Sequence, residues 1–176
     1  MSFGYLKGFV LCFFYRLLRV FPNSDPLVGF LVPASKNEPL WKPVLFAFFS
    51  MLLFDFFTFG VGVWSFVTSF AYVLVVLFWR WRLSFVESSL GSFLSNGVLG
   101  ILLFDFITGP LMSSFIFKQD FFLTLVLQVP FTIMHLVSGC FSIILISPFL
   151  DKRVALEASS FLCKVKTLFS FRSFLK

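Results

Sequence analysis

The chain has 176 residues, of which 59% are hydrophobic, 22% aromatic and only 12% charged, and it carries a formal net charge of +6. A soluble domain of this length must keep its surface largely polar, and this composition leaves too little polar side chain to do so. An ordinary soluble globular domain is therefore excluded, and an integral membrane protein of all-α class is expected. Nucleic acid is not an expected partner, because the bases lie at the ends of apolar runs and in the tail rather than in a phosphate-binding patch.

Residues 3–21 form the first apolar stretch. It contains Arg16 and Arg19 and lacks a small-x-small cleavage site, so it reads as a retained span rather than a signal peptide. "PNSDP" (22–26) is a turn on the outer side. "LVGFLVPAS" (27–35) is too short to cross a core of ~30 Å as a helix and reads as a tilted or re-entrant second segment. After the polar residues 36–43, a third span is expected over 44–59 and a fourth from the "GVG" turn (60–62) to Trp79. Trp79 and Trp81 are placed at the membrane interface. A fifth span covers 90–108 and closes at Gly109-Pro110, followed by a connection at 112–120 with room for a short helix. The run 121–150 would be about 45 Å long as a straight helix, so it must tilt, kink at Pro130 or project beyond the bilayer.

The expected architecture is a bundle of about six transmembrane segments over 1–150, followed by a basic amphipathic tail over 151–176. With both termini in the cytoplasm, only Arg16, Arg19 and Lys118 of the 14 bases fall outside, which favours this orientation and a multi-pass protein of the inner (cytoplasmic) membrane. The tail mixes Val154, Leu156, Phe161 and Leu168 with bases and reads as a helix lying on anionic membrane lipids. Cys12, Cys140 and Cys163 form neither a disulfide framework nor a zinc motif.

"LLFDFFT" (52–58) and "LLFDFIT" (102–108) repeat one pattern and place Asp55 and Asp105 at matching depth in two outward-running helices. A carboxylate within a span costs about 2.5–3.5 kcal/mol near the helix centre, so such residues face the protein interior. Arg16, Arg19, Asp25, Gln128 and His135 lie at a similar level, with Gln128 and His135 on one helix face. Two readings stand at this point. The acids form buried ion pairs with Arg16 or Arg19 that fix helix register, or all these groups line a polar, outward-opening substrate pocket. No HExxH, GxSxG, GxGxxG or P-loop occurs, His135 is the only histidine, and neither an enzyme nor a cofactor is expected.

Three stretches resemble the substrate-binding S components of energy-coupling factor transporters and related bacterial membrane proteins. They are "YRLLRVFPNSDPLVGFLVPAS" (15–35), "FSMLLFDFFTFGVGVWSFVTSFAY" (49–72) and "LQVPFTIMHLVSGCFSIILISPFL" (127–150). The resemblance implies a six-helix subunit that captures a vitamin or similar micronutrient from outside. Such a subunit docks on a transmembrane coupling protein energised by separate ATPases. That family docks through a small-xxx-small ridge on its first helix, for which Gly4, Gly8 and Cys12 stand at the right spacing here. A non-transporting membrane scaffold or assembly subunit is the competing expectation.

Overall fold

The computed structural model describes residues 3–18 and 25–160, and among these every regular element is helical. The elements are α1 (Phe3–Leu18), α2 (Pro26–Asn37), α3 (Trp41–Thr58), α4 (Val63–Leu83), α5 (Leu90–Phe106), a π turn (Ile107–Leu111), α6 (Met112–Phe115) and α7 (Phe121–Leu150). Four stretches are long and apolar enough to cross a membrane: α3, α4, the continuous run from α5 through α6, and α7. The chain is thus a helical, multi-pass membrane protein with four such helices among the described residues, where the sequence reading counted six segments. The turn residues 22–24, Arg19 and the tail from 161 to 176 lie outside the described residues.

The short second segment forms the centre of the bundle. Asp25 starts α2 by accepting the Leu27 N–H at 3.0 Å, and Pro26 occupies the first turn, where a missing N–H costs nothing. At 12 residues α2 is about 18 Å long and cannot span. Leu27 through Ser35 are all buried, and α2 packs against α1, α3, α4, α5 and α7. It runs parallel to the second half of α7. The Gly29 N–H donates to Ser142 Oγ at 3.1 Å, and Asn37 Nδ2 donates to Asp151 Oδ2 at 2.8 Å. The N-terminus of α2 therefore sits half-way along the bundle.

The last carbonyls of α2 are held by Arg80, which donates to Ser35 and Lys36 oxygens at 3.1 and 2.9 Å. Lys36, Lys42, Arg80, Arg82, Lys152 and Arg153 collect at this end of the bundle, where α2, α4 and α7 finish and α3 and α5 begin. The positive-inside rule predicts that this end faces the cytoplasm. In a background lacking reactive cysteines, Lys118→Cys is expected to react with an impermeant thiol reagent in intact cells. Lys152→Cys is expected to react only after permeabilisation, and the reverse pattern would invert the orientation.

Two boundary expectations are corrected. Trp79 is fully buried, with its indole N–H donated to the Asn96 carbonyl at 2.8 Å, because α4 runs another turn to Leu83 and carries the interface with it. Trp81 is exposed as expected. Gly109-Pro110 does not end the fifth helix. Pro110 has no N–H to give and its ring crowds the preceding turn, and the wider π register absorbs it so that the helix continues into α6.

The start of the tail is built into the bundle. Asp151 accepts from the Arg153 and Val154 N–H groups, capping a helical stretch at 152–160, and Val154 is fully buried. Glu157 in turn accepts the Leu90 N–H at 2.8 Å. Burial pushes the Asp151 carboxyl up, but hydrogen bonds from Asn37, Ser88, Val154 and Arg153 outweigh it and hold the group below its ordinary 3.8. A lowered carboxylate contributes stability that is complete above pH 3.8 and is lost as pH falls through the lowered value. Acidification through that range is expected to loosen residues 152–160 in hydrogen exchange by about 1 kcal/mol, the worth of a helix cap. Asp151→Asn should already be loosened at neutral pH.

Candidate functional site

The apolar core is interrupted at one level by charge. Asp25 begins α2, Asp105 ends α5, His135 lies near the midpoint of α7, Tyr72 is within α4 and Arg16 is in the last turn of α1. His135 Nδ1 is 2.8 Å from Asp105 Oδ1, and His135 Nε2 is 3.5 Å from Asp25 Oδ2, so the imidazole bridges two carboxylates. Asp25 also receives the Tyr72 hydroxyl on Oδ2 and faces Arg16 NH1 at 3.6 Å on Oδ1. The Arg16 guanidinium lies 4.7 Å over the Phe54 ring, and the Phe104 ring meets His135 edge-on at 5.9 Å. Asp25, Asp105 and His135 are 7%, 5% and 8% exposed, whereas the Arg16 side chain is 19% exposed.

The two acids are used differently. Asp25 accepts from Leu27 N–H and Tyr72, and Arg16 and His135 both face it. Its backbone is fixed as well, since its N–H donates to Ser138 Oγ at 3.4 Å and its carbonyl accepts from Ser142 Oγ at 3.3 Å. Asp105 touches His135 with one oxygen, and its Oδ2, though buried, has no hydrogen-bond partner among the described residues. Arg16 NH1 and His135 Nε2 also lack hydrogen-bond geometry, although both stand at ion-pair distance from Asp25.

Of the residues singled out from the sequence, Asp105, His135 and Arg16 are brought together. Asp55 is not. It is buried in α3, which packs on α1, α2 and α4, and no ion pair or side-chain hydrogen bond joins it to the cluster among the described residues. The repeated heptapeptides match in sequence, but only α5 is packed against α7. Gln128 is also outside the cluster: it lies against Gly109 in the π turn, two turns from His135 and about 10 Å along the axis. Of the interior expected to be shared by Asp55, Asp105, Gln128 and His135, direct contact is seen between Asp105 and His135 among the described residues. Arg19 lies outside the described residues.

The small-residue ridge of α1 is turned inward where it is described. Cys12 is buried with its thiol 4.0 Å from the Pro26 carbonyl, and a Cβ on Gly8 would run into the Phe30 ring of α2. Cys12 therefore serves helix packing within the chain, and Gly8, half-buried, faces Phe30 of α2. The surroundings of Gly4 lie outside the described side chains.

Tyr72, Ser138 and Ser142 were not singled out from the sequence. A signal for the serines exists: His135, Ser138 and Ser142 recur at helical spacing, with Gly139 between them, and mark the face of α7 turned to α2. No group of three or more residues that could hold a metal ion occurs among the described residues. Compared with known proteins, the chain matches no family model, no curated protein and no solved structure.

Proposed function

We propose that this chain is a membrane-embedded capture subunit for uptake of a small solute such as a vitamin or similar micronutrient, working with separate energising subunits in the inner membrane. The observation that carries the reading is the half-used Asp105 carboxylate beside the single histidine, at the level where α2 begins. Helices that start within the membrane and aim polar groups at its midplane are the usual way transporters build solute sites. A purely structural pair would use both oxygens, because an unpartnered buried acceptor costs about 1–3 kcal/mol. In this reading the six segments resolve into four crossing helices and the α1–α2 pair, and the energising partners dock on a surface other than the Gly8–Cys12 ridge.

Native mass spectrometry of the purified protein tests the proposal. The full chain, released gently from detergent, is expected to carry a small molecule of constant mass. A chain that brings down another membrane protein and no small molecule would be a scaffold instead.

A further inference from the structure

We propose that the solute taken at this site is a small monovalent cation, exchanged there for a proton carried by His135. The inference rests on the uptake reading and names its substrate class.

The argument is a charge count over the groups that face His135. They are Asp25 at the start of α2, Asp105 on α5, the Tyr72 hydroxyl from α4 by way of Asp25, and Arg16 on α1 across the same carboxylate. With His135 protonated, two positive and two negative charges balance. When His135 is neutral, one negative charge is left over on buried carboxylates, where an unbalanced charge is expensive. A proton held by Asp105 or a positive occupant beside it restores the balance, and the second is the one a capture site uses.

The geometry also says where that charge is received. Arg16, His135 and the N-terminus of α2 are all directed at Asp25, so the cluster's positive groups are already matched. Arg16 NH1 and His135 Nε2 lack hydrogen-bond partners but stand at ion-pair distance from Asp25, and the acceptor of the cluster without a hydrogen-bond partner is Asp105 Oδ2. An anion would meet that oxygen unfavourably, and a neutral solute would leave the count unchanged. Among the described residues a multivalent metal ion lacks its set of ligands. A sodium ion or a primary ammonium group suits one carboxylate oxygen. The exchange is balanced: imidazolium becomes imidazole, its proton leaves to solvent, and the incoming cation takes its place in the count beside Asp105.

His135 is the only histidine, so 15N-histidine labelling reports this site alone. The full chain is placed in neutral-lipid nanodiscs with tetraethylammonium, a bulky quaternary ion with no N–H to donate, as the background cation. Methylammonium or sodium is expected to convert the imidazolium signal to that of neutral imidazole and release one proton per cation bound. Acetamide, the neutral probe, should do neither. Asp105→Asn should show neutral imidazole from the outset and no exchange, whereas Asp105→Glu should keep the exchange if Asp105→Asn fails to fold. An imidazole that is neutral before any cation is added, or one unmoved by both cations, overturns the proposal. So does cation exchange that survives Asp105→Asn but is lost in Arg19→Gln, which would place the balancing charge elsewhere. A neutral or anionic solute co-purifying with His135 unmoved keeps the uptake reading and removes the cation assignment. Exchange in a protein that carries no solute supports the cation site and removes the uptake reading.

Discussion

Asp25→Ala is expected to destabilise the protein by about 3–5 kcal/mol, the largest effect of any single change in the cluster. The substitution leaves Arg16 and His135 without the carboxylate both face, and it takes from the Tyr72 hydroxyl its acceptor inside the bundle. It also removes the cap of α2, worth about 1 kcal/mol by itself. Because α2 touches five other helices, a loosened start is felt across the core. Asp25→Asn should fall between wild type and alanine, since the amide can cap the helix but cannot balance Arg16. Thermal unfolding of the three proteins in one detergent tests the order. Equal melting temperatures would mean that α2 is held by apolar packing alone.

Gly29→Leu is expected to be comparably damaging, by about 3 kcal/mol, because overpacking is costly where the neighbour cannot move. A Cβ at Gly29 would collide with the backbone carbonyl of Ser142, and a backbone cannot rotate aside as a side chain can. The larger residue must push α2 off α7, breaking the Gly29 N–H bond to Ser142 and the grip of Ser138 and Ser142 on Asp25. Close approach through small residues is how helices gain contact where lipid offers no hydrophobic incentive to associate. Gly91→Ala is the control: nothing lies within 4 Å of its Cβ, and the change should be neutral or slightly stabilising. Melting temperatures of both variants check the pair, and equal losses would point to a general intolerance of side chains rather than to the α2–α7 contact.

Hydropathy made the long helices legible. The apolar run at 121–150 is α7 to the residue, and the third span differs from α3 by a few residues, because membrane helices are delimited by where polar residues resume. Packing partners were not legible in the same way. Asp55 and Asp105 share a heptapeptide, and periodicity can say that each faces inward but not which helix it will meet. The position of α2 was hidden for a related reason. Asp25-Pro26 is as good a turn as it is a helix start, and a segment too short to span reads as tilted or re-entrant, with nothing in its periodicity to say which helices enclose it. Arg16 and His135 were identifiable because a charge is rare in such a chain, whereas Tyr72 is one aromatic among many.

The central claim is a division of labour: Asp25 holds the fold and Asp105 serves an occupant. It is tested most directly by purifying Asp105→Asn beside wild type and measuring released small molecule and melting temperature on the same samples. The amide preserves shape and can still meet His135 Nδ1, and Asp25 remains to balance Arg16. The variant is therefore expected to melt close to wild type, within about 1 kcal/mol, and to carry no solute. A variant that keeps its solute while melting as early as Asp25→Ala would contradict the claim and make Asp105 a structural partner of His135.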